Sequence, residues 1–178
     1  MNIQSNYYLE YFIKLKTAPE LLQEKMFPNT KEITESMGAF FAVKKHIPFA
    51  LNDPSINCFV VGDGHVPRTG MLIARITAWN VTSIDPSMRI RDYNTKRLLV
   101  MKDRIENCIF PEMDKAIIVS VHSHAEAQKT WSAIKAKKKY FVNIPCCVKS
   151  NMEKGNNYKE YIDAFICSPR NLIEIYEG

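Results

Sequence analysis

No run of uncharged apolar residues in this chain approaches the roughly 20 needed to cross a bilayer, and no basic start leads into an apolar signal core. The expectation is therefore a soluble, cytoplasmic protein without a helical membrane span, a secretory leader or a membrane partner. No C-x-x-C pair occurs. The five cysteines, Cys58, Cys108, Cys146, Cys147 and Cys167, are odd in number and scattered through apolar segments, which argues against a disulfide framework and for a reducing compartment. No internal repeat or low-complexity tract is present, and the G-x-G-x-x-G spacing of dinucleotide-binding loops is missing.

What is present suits one folded unit. At 178 residues and 46% hydrophobic content the chain is long enough for a single core. Its net charge of +5 is compatible with a polyanionic partner but is also common among proteins that bind none. The pattern divides into an N-terminal helical preface, residues 1–54, packing on a body, residues 55–178. In the preface, "TAPELLQEKM" offers Thr17 as an N-cap with Pro19 and Glu20 in the first turn. "NTKEITESMGAFFAVKKH" places Ile33, Met37, Phe40, Phe41 and Lys44 on one helical face. The opening "NYYLEYFIKLK" satisfies helix and strand periods in part.

From Asn57 onward, short β-rich runs alternate with helical ones: "NCFVVGD", "RTGMLIARITA", "WNVTSID", "LLVMKD", "KAIIVSVH", "AEAQKTWSAIKAK" and "KYFVNIPCC". Strands joined through helices imply a mostly parallel sheet covered on both faces, a three-layer α/β fold. The end differs. "YIDAFICSP" and "NLIEIYEG" are joined by a Ser-Pro-Arg-Asn turn with no room for a helix, so they should pair antiparallel. Trp79 and Trp131 read as core, and the run Lys135, Lys137, Lys138 and Lys139 as a solvated helix end favoured by the macrodipole.

Ligands of open α/β sheets bind outside the carboxyl ends of the strands. Here those ends carry Gly62, Asp63 and Gly64, then Asp85, then Asp103, then His122 and His124, then Cys146 and Cys147. Glycines let the backbone turn tightly and approach a ligand, with Asp63 offering a carboxylate to an ammonium or hydroxyl. An acid at Asp85, after the next strand, suits the two ribose hydroxyls of an adenosine group. Arg68, at a helix start, can meet a ligand carboxylate or an acceptor phosphate, or stand solvated in the first turn. A histidine near its ordinary pKa can take a proton from an acceptor, and equally can be a hydrogen-bonded residue at the sheet edge. Imidazole and thiolate together suggest zinc, but adjacent cysteines are poorly placed to reach one tetrahedral ion, so no metal is expected.

The order strand, Gly-Asp-Gly turn, helix, strand ending in Asp, and terminal antiparallel hairpin resembles the class I S-adenosylmethionine-dependent methyltransferases, a Rossmann-like fold. The resemblance implies S-adenosylmethionine held by Gly62, Asp63, Gly64, Arg68, Asp85 and Asp103, with Asp63 and Gly64 at the methionine part, Asp85 at the ribose and Asp103 at the adenine. "VSVHSH" followed by "NIPCC" is similar to a group that includes tRNA-modifying methyltransferases, with Ser123 and His124 standing where that group has Cys-Gly. From this come His122, His124 and Cys146 as the catalytic set, and RNA as the acceptor. The absence of a strong catalytic signature such as Asn-Pro-Pro-Tyr motivates the alternative, a non-catalytic binding or assembly subunit that kept the fold and contacts a protein partner.

Overall fold

The computed structural model describes residues 5–147 and 150–178. Among these residues, five α-helices and seven strands run in the order α1 (Tyr7–Ile13), α2 (Ala18–Gln23), α3 (Thr30–His46), β1 (Asn57–Val61), α4 (Arg68–Ile76), β2 (Asn80–Ile84), β3 (Leu98–Met101), β4 (Met113–Val121), α5 (Ala127–Ala133), β5 (Ala136–Ile144), β6 (Lys159–Ile162) and β7 (Leu172–Glu177). One sheet holds all the strands in the order β3-β2-β1-β4-β5-β7-β6. The first five are parallel, with Val61 beside Ile84 and Val121 beside Ile144, whereas β7 runs antiparallel to both β5 and β6. The expected parallel sheet with a reversed terminal hairpin is therefore the observed fold.

Strand alternation divides the core into two layers. Cys58, Val60, Ile117, Val119 and Val142 face one side, where they pack with Met37, Val43 and Leu72 from the helices. Their neighbours Phe59, Val61, Ile118 and Phe141 face the other, with Ile134, Met152 and Tyr176. Because successive side chains of a strand point to opposite faces, a sheet covered on both sides needs apolar residues at nearly every position, and these strands have them.

The opening segment is a helix. Asn6 caps α1 by accepting from the amides of Tyr8 and Leu9 at 2.9 and 3.2 Å, which settles the ambiguity of its period in favour of helix. Thr17 stands at the N-cap position of α2 but its hydroxyl caps nothing. It lies 3.5 Å from Arg75 Nη1 instead, while the same guanidinium holds Glu20 and Glu24 at 3.1 and 2.6 Å, tying α2 to α4.

The single apolar face expected of α3 is too narrow a description: every residue from Ile33 to Phe40 is buried, and so are Ala42 and Val43. The helix packs between α1 and the sheet, so residues on opposite sides are covered. Lys44 is exposed and sits over the rings of Tyr11 and Phe41 at 5.5 and 5.3 Å. Tyr8, Phe12, Leu21 and Phe40 join the same core layer as the strands.

The basic run also differs from expectation. Helix α5 ends at Ala133, and Lys137, Lys138 and Lys139 belong to β5. Lys139 reaches back to donate to the carbonyls of Trp131 and Ile134, both at 2.8 Å, so a cation does cap this helix end, from the strand. Lys137 pairs with Asp114 at 2.7 Å. Among the described residues no helix is long and apolar enough to cross a membrane.

Trp79 precedes β2, is fully buried, and donates its indole N–H to the Ala50 carbonyl at 2.7 Å. Trp79→Phe removes one of the two donors to that carbonyl, the other being the Asp53 amide at 3.1 Å, and leaves a gap beside it, which should lower stability by about 1–3 kcal/mol. The expected reading is a reduced urea midpoint with an unchanged slope.

Candidate functional site

The corner after β1 is the tightest point of the site. Gly62 and Gly64 both take φ of +79°, the left-handed region that favours glycine. A Cβ on Gly62 would stand 2.0 Å from Ser123 Oγ, so the position is closed to any side chain by space as well as by backbone. This double turn points Asp63 at the start of α4. Its carboxylate accepts from the amides of Thr69 and Gly70 at 3.0 and 2.9 Å and from the Ser83 hydroxyl at 2.8 Å. Pro67 at the helix start offers no side-chain cap, so Asp63 satisfies these amides from a distance. Burial pushes its carboxyl up to about 6, against the hydrogen bonds that pull it down. The residue read from sequence as a ligand carboxylate thus has three of its acceptor sites filled by the chain.

Above β1 to β4 lies a cleft of about 490 Å³ that brings together Gly62, Gly64, Asp85, Asp103, Ile105 and His124. Asp85 accepts from the Gly64 amide at 2.9 Å and the Ser87 amide at 2.7 Å, one bond on each oxygen. A carboxylate has about four acceptor sites, so Asp85 keeps capacity for a ligand. Asp103 accepts from Asn107 Nδ2 and the Arg104 amide at 2.8 and 2.7 Å, and the Asn107 bond first, then the amide, holds its carboxyl below the ordinary value.

A second opening of about 430 Å³ lies between α3 and the ends of β1, β4 and β5, and takes Asp63, Arg68 and Cys146 into its walls. Arg68 Nε is 3.7 Å from Glu32 Oε2, so its charge already faces a carboxylate of α3. His122 takes φ of +50°, an uncommon conformation for a non-glycine residue, immediately after β4. That twist lays its ring across the opening, with Nδ1 3.2 Å from the Pro145 carbonyl and Nε2 2.8 Å from Glu35 Oε1. A carbonyl only accepts, so Nδ1 carries a hydrogen, and Nε2 is the nitrogen turned to the Glu35 carboxylate. Apart from each other, Nε2 and Oε1 have no hydrogen-bond partner among the described residues.

Glu35 was not among the residues singled out from the sequence. It is 3% exposed, and burial alone would raise its carboxyl. His122, by hydrogen bond and charge, and Lys31, 3.6 Å away, pull it below its ordinary value instead. The one available signal was the run of small residues Ser36, Gly38, Ala39 and Ala42, which marks a helix approached closely on several sides, so that a carboxylate among them is buried.

Arg170 was likewise read only as part of a turn. The segment between β6 and β7 is anchored by Asp163, which accepts from the Tyr8 hydroxyl, and by the Cys167 amide, which donates to Thr34 Oγ1 at 3.0 Å. So held, Arg170 donates from Nη1 to Cys146 Sγ at 3.2 Å, while His124 Nε2 lies 3.6 Å from the same sulfur. The Cys146 hydrogen bond, and then Arg170, hold the Cys147 thiol below its ordinary value. The adjacent cysteines, read from sequence as poorly placed to share one ion, have both sulfurs within 4.8 Å of each other and of a His124 ring nitrogen. A third opening of about 410 Å³ adjoins this cluster.

No protein-family model matches the chain, and no curated protein matches it. Solved structures do. A mutant of MtNAS in complex with S-adenosylmethionine superposes with a TM-score of 0.50 at 10% identity, over 94% of this chain and 68% of that one. Coclaurine N-methyltransferase bound to N-methylheliamine and SAH gives 0.40 at 12% identity, over 59% of this chain and 36% of its own length. A cyclopropane-fatty-acyl-phospholipid synthase-like protein from Lactobacillus casei gives 0.43 at 12%, covering 78% of this chain and 58% of that one. At such identity the likeness is one of fold: the chain shares with MtNAS a Rossmann-like α/β architecture.

The raised Asp63 carboxyl has a signed consequence. A folded-state value of about 6, above the ordinary 3.8, means the native state holds this proton more tightly than the unfolded chain. Its contribution to stability is complete below about 4 and is lost as pH rises through about 6. Carboxyl-carbon NMR titration should find Asp63 near 6 and Asp103 below its usual range, and denaturation between pH 4 and 7 should show the Asp63-linked slope disappear in Asp63→Asn.

Proposed function

We propose that the chain is an S-adenosylmethionine-dependent methyltransferase, with the cofactor in the cleft above β1 to β3 and a His122–Glu35 proton-accepting pair in the adjoining opening. The observation that carries this reading is the placement of Asp85, with unused acceptor capacity, at the end of β2 beside the left-handed Gly62-Asp63-Gly64 turn. A volume of about 490 Å³ falls within the roughly 300–1,000 Å³ of small-molecule sites. The donor set fits the ligand: Asp85 for two ribose hydroxyls, Ile105 and Asp103 for a flat heterocycle and its amino group, and the backbone of Gly62 and Gly64 for close approach. That MtNAS was crystallised with S-adenosylmethionine on this fold supports the choice of ligand.

When bound, S-adenosylmethionine supplies a methyl group activated on a sulfonium. This chain's contribution is then largely positioning, plus removal of a proton from the acceptor. Pro145 holds Nδ1 of His122 and turns Nε2 to Glu35 Oε1, so the imidazole orients the carboxylate, and the second Glu35 oxygen is the atom assigned to take the acceptor's proton. The acceptor we propose is RNA. Support comes from the net charge of +5 and from the "VSVHSH" and "NIPCC" resemblance. One observation favours a non-catalytic ligand-binding or assembly role instead: Asp63, given to the methionine part by the resemblance, already accepts three hydrogen bonds from within the chain.

Calorimetry with S-adenosylmethionine and S-adenosylhomocysteine, with NAD as control, distinguishes the readings. Binding of a sulfur ligand should weaken about tenfold or more in Asp85→Ala, equivalent to about 1.4 kcal/mol. In Glu35→Gln and His122→Asn it should be kept, while labelled methyl transfer to RNA falls by about 10²–10⁴. Absence of sulfur-ligand binding by the folded protein would overturn the proposal, and binding without methyl transfer would select the non-catalytic role.

A further inference from the structure

We propose that His124, Cys146 and Cys147 form a zinc site with three protein ligands and an open fourth position at the third opening, which all three line. The sheet builds it. Strands β4 and β5 are parallel neighbours with Val121 beside Ile144, so the residues that follow each strand emerge side by side, His124 from one and Cys146 and Cys147 from the other. Neighbouring residues of an extended strand point to opposite faces, but the strand has ended at Ile144 and the chain bends at Cys147, which brings both sulfurs to one side.

The distances are those of a site near assembly. A tetrahedral zinc with a Zn–S bond of about 2.3 Å and a Zn–N bond of about 2.0 Å sets nitrogen and sulfur roughly 3.5 Å apart. His124 Nε2 and Cys146 Sγ are 3.6 Å apart. The two sulfurs of such a site stand roughly 3.8 Å apart, and the three ligand atoms here lie within 4.8 Å of one another, so the exposed Cys147 completes the set by a side-chain rotation. Two thiolates and an imidazole exclude magnesium and calcium, which need oxygen ligands, and match a borderline-soft divalent ion. Arg170 supports the first sulfur from outside the ligand set, donating to Cys146 Sγ at 3.2 Å, as groups around metal ligands typically do. Three protein ligands with an open position is the arrangement of reactive rather than structural zinc.

The inference does not depend on the cofactor reading, because its test reads metal alone. The full chain, reduced and stripped with a chelator, is titrated with zinc against a chromophoric chelator, and with cobalt to read thiolate-to-metal absorption. One equivalent should bind with cobalt–thiolate bands. Affinity should fall at least about tenfold in Cys147→Ser and in His124→Asn, and stay unchanged in Cys167→Ser, whose cysteine is exposed elsewhere. Circular dichroism confirms that each variant is folded. Absence of stoichiometric binding, or equal binding by the His124 and Cys147 variants, would overturn the site.

Discussion

The carboxylate of Asp63 holds the functional edge of this protein together. Three elements meet on it: β1 supplies the acid, α4 two backbone amides, and β2 the Ser83 hydroxyl. An α-helix start left without partners inside a protein is expensive, and Pro67 cannot provide one through a side chain. The chain meets that need with an acid buried enough for its carboxyl to rise to about 6. The left-handed turn through Gly62 and Gly64 returns Asp63 to α4, and the missing side chain at Gly62 leaves Ser123 its space. Asp85 then takes the Gly64 amide and fixes the far side of the same turn. The cleft is thus shaped by hydrogen bonds within the chain.

A second buried carboxylate sits across the sheet edge and works differently. Glu35 lies in a helix covered on several sides, where an unpaired charge would be strongly unfavourable, and His122 is the group that compensates it. The pairing needs His122 in a left-handed backbone conformation, a local strain of the kind that clusters at functional sites. Pro145 holds the other ring nitrogen, so the imidazole is oriented from two sides before any acceptor arrives.

The three openings along this edge share residues. Gly62, Gly64 and His122 line both the first and the second, His124 the first and the third, and Cys146 the second and the third. A cofactor above β1 to β3, a proton acceptor at the end of β4 and a soft cation between β4 and β5 are therefore readings of one continuous strand-end surface. They are compatible because each uses different atoms: Asp85 oxygens, the second Glu35 oxygen beside His122, and the His124 nitrogen with the two sulfurs.

Local pattern determined much of this molecule. Alternation of short β-rich runs with helical ones announced a parallel sheet, and a Ser-Pro-Arg-Asn turn with no room for a crossover announced the reversed hairpin, because period and loop length are properties of neighbouring residues. Residues at strand ends were legible for the same reason: Asp85, Asp103, His124 and Cys146 follow directly from where each apolar run stops. Their partners were not. Glu35 and Arg170 come from a preface helix and from a hairpin loop, and nothing within a few positions of either marks what it will face. Asp63 was visible as an acid between glycines, yet whether its carboxylate turns to a ligand or to α4 depends on the packing of helix, strand and turn together. The sequence by itself determined which residues lie at the carboxyl edge; tertiary packing decided which of them are satisfied there and which remain open, since that choice rests on contacts between segments far apart in the chain.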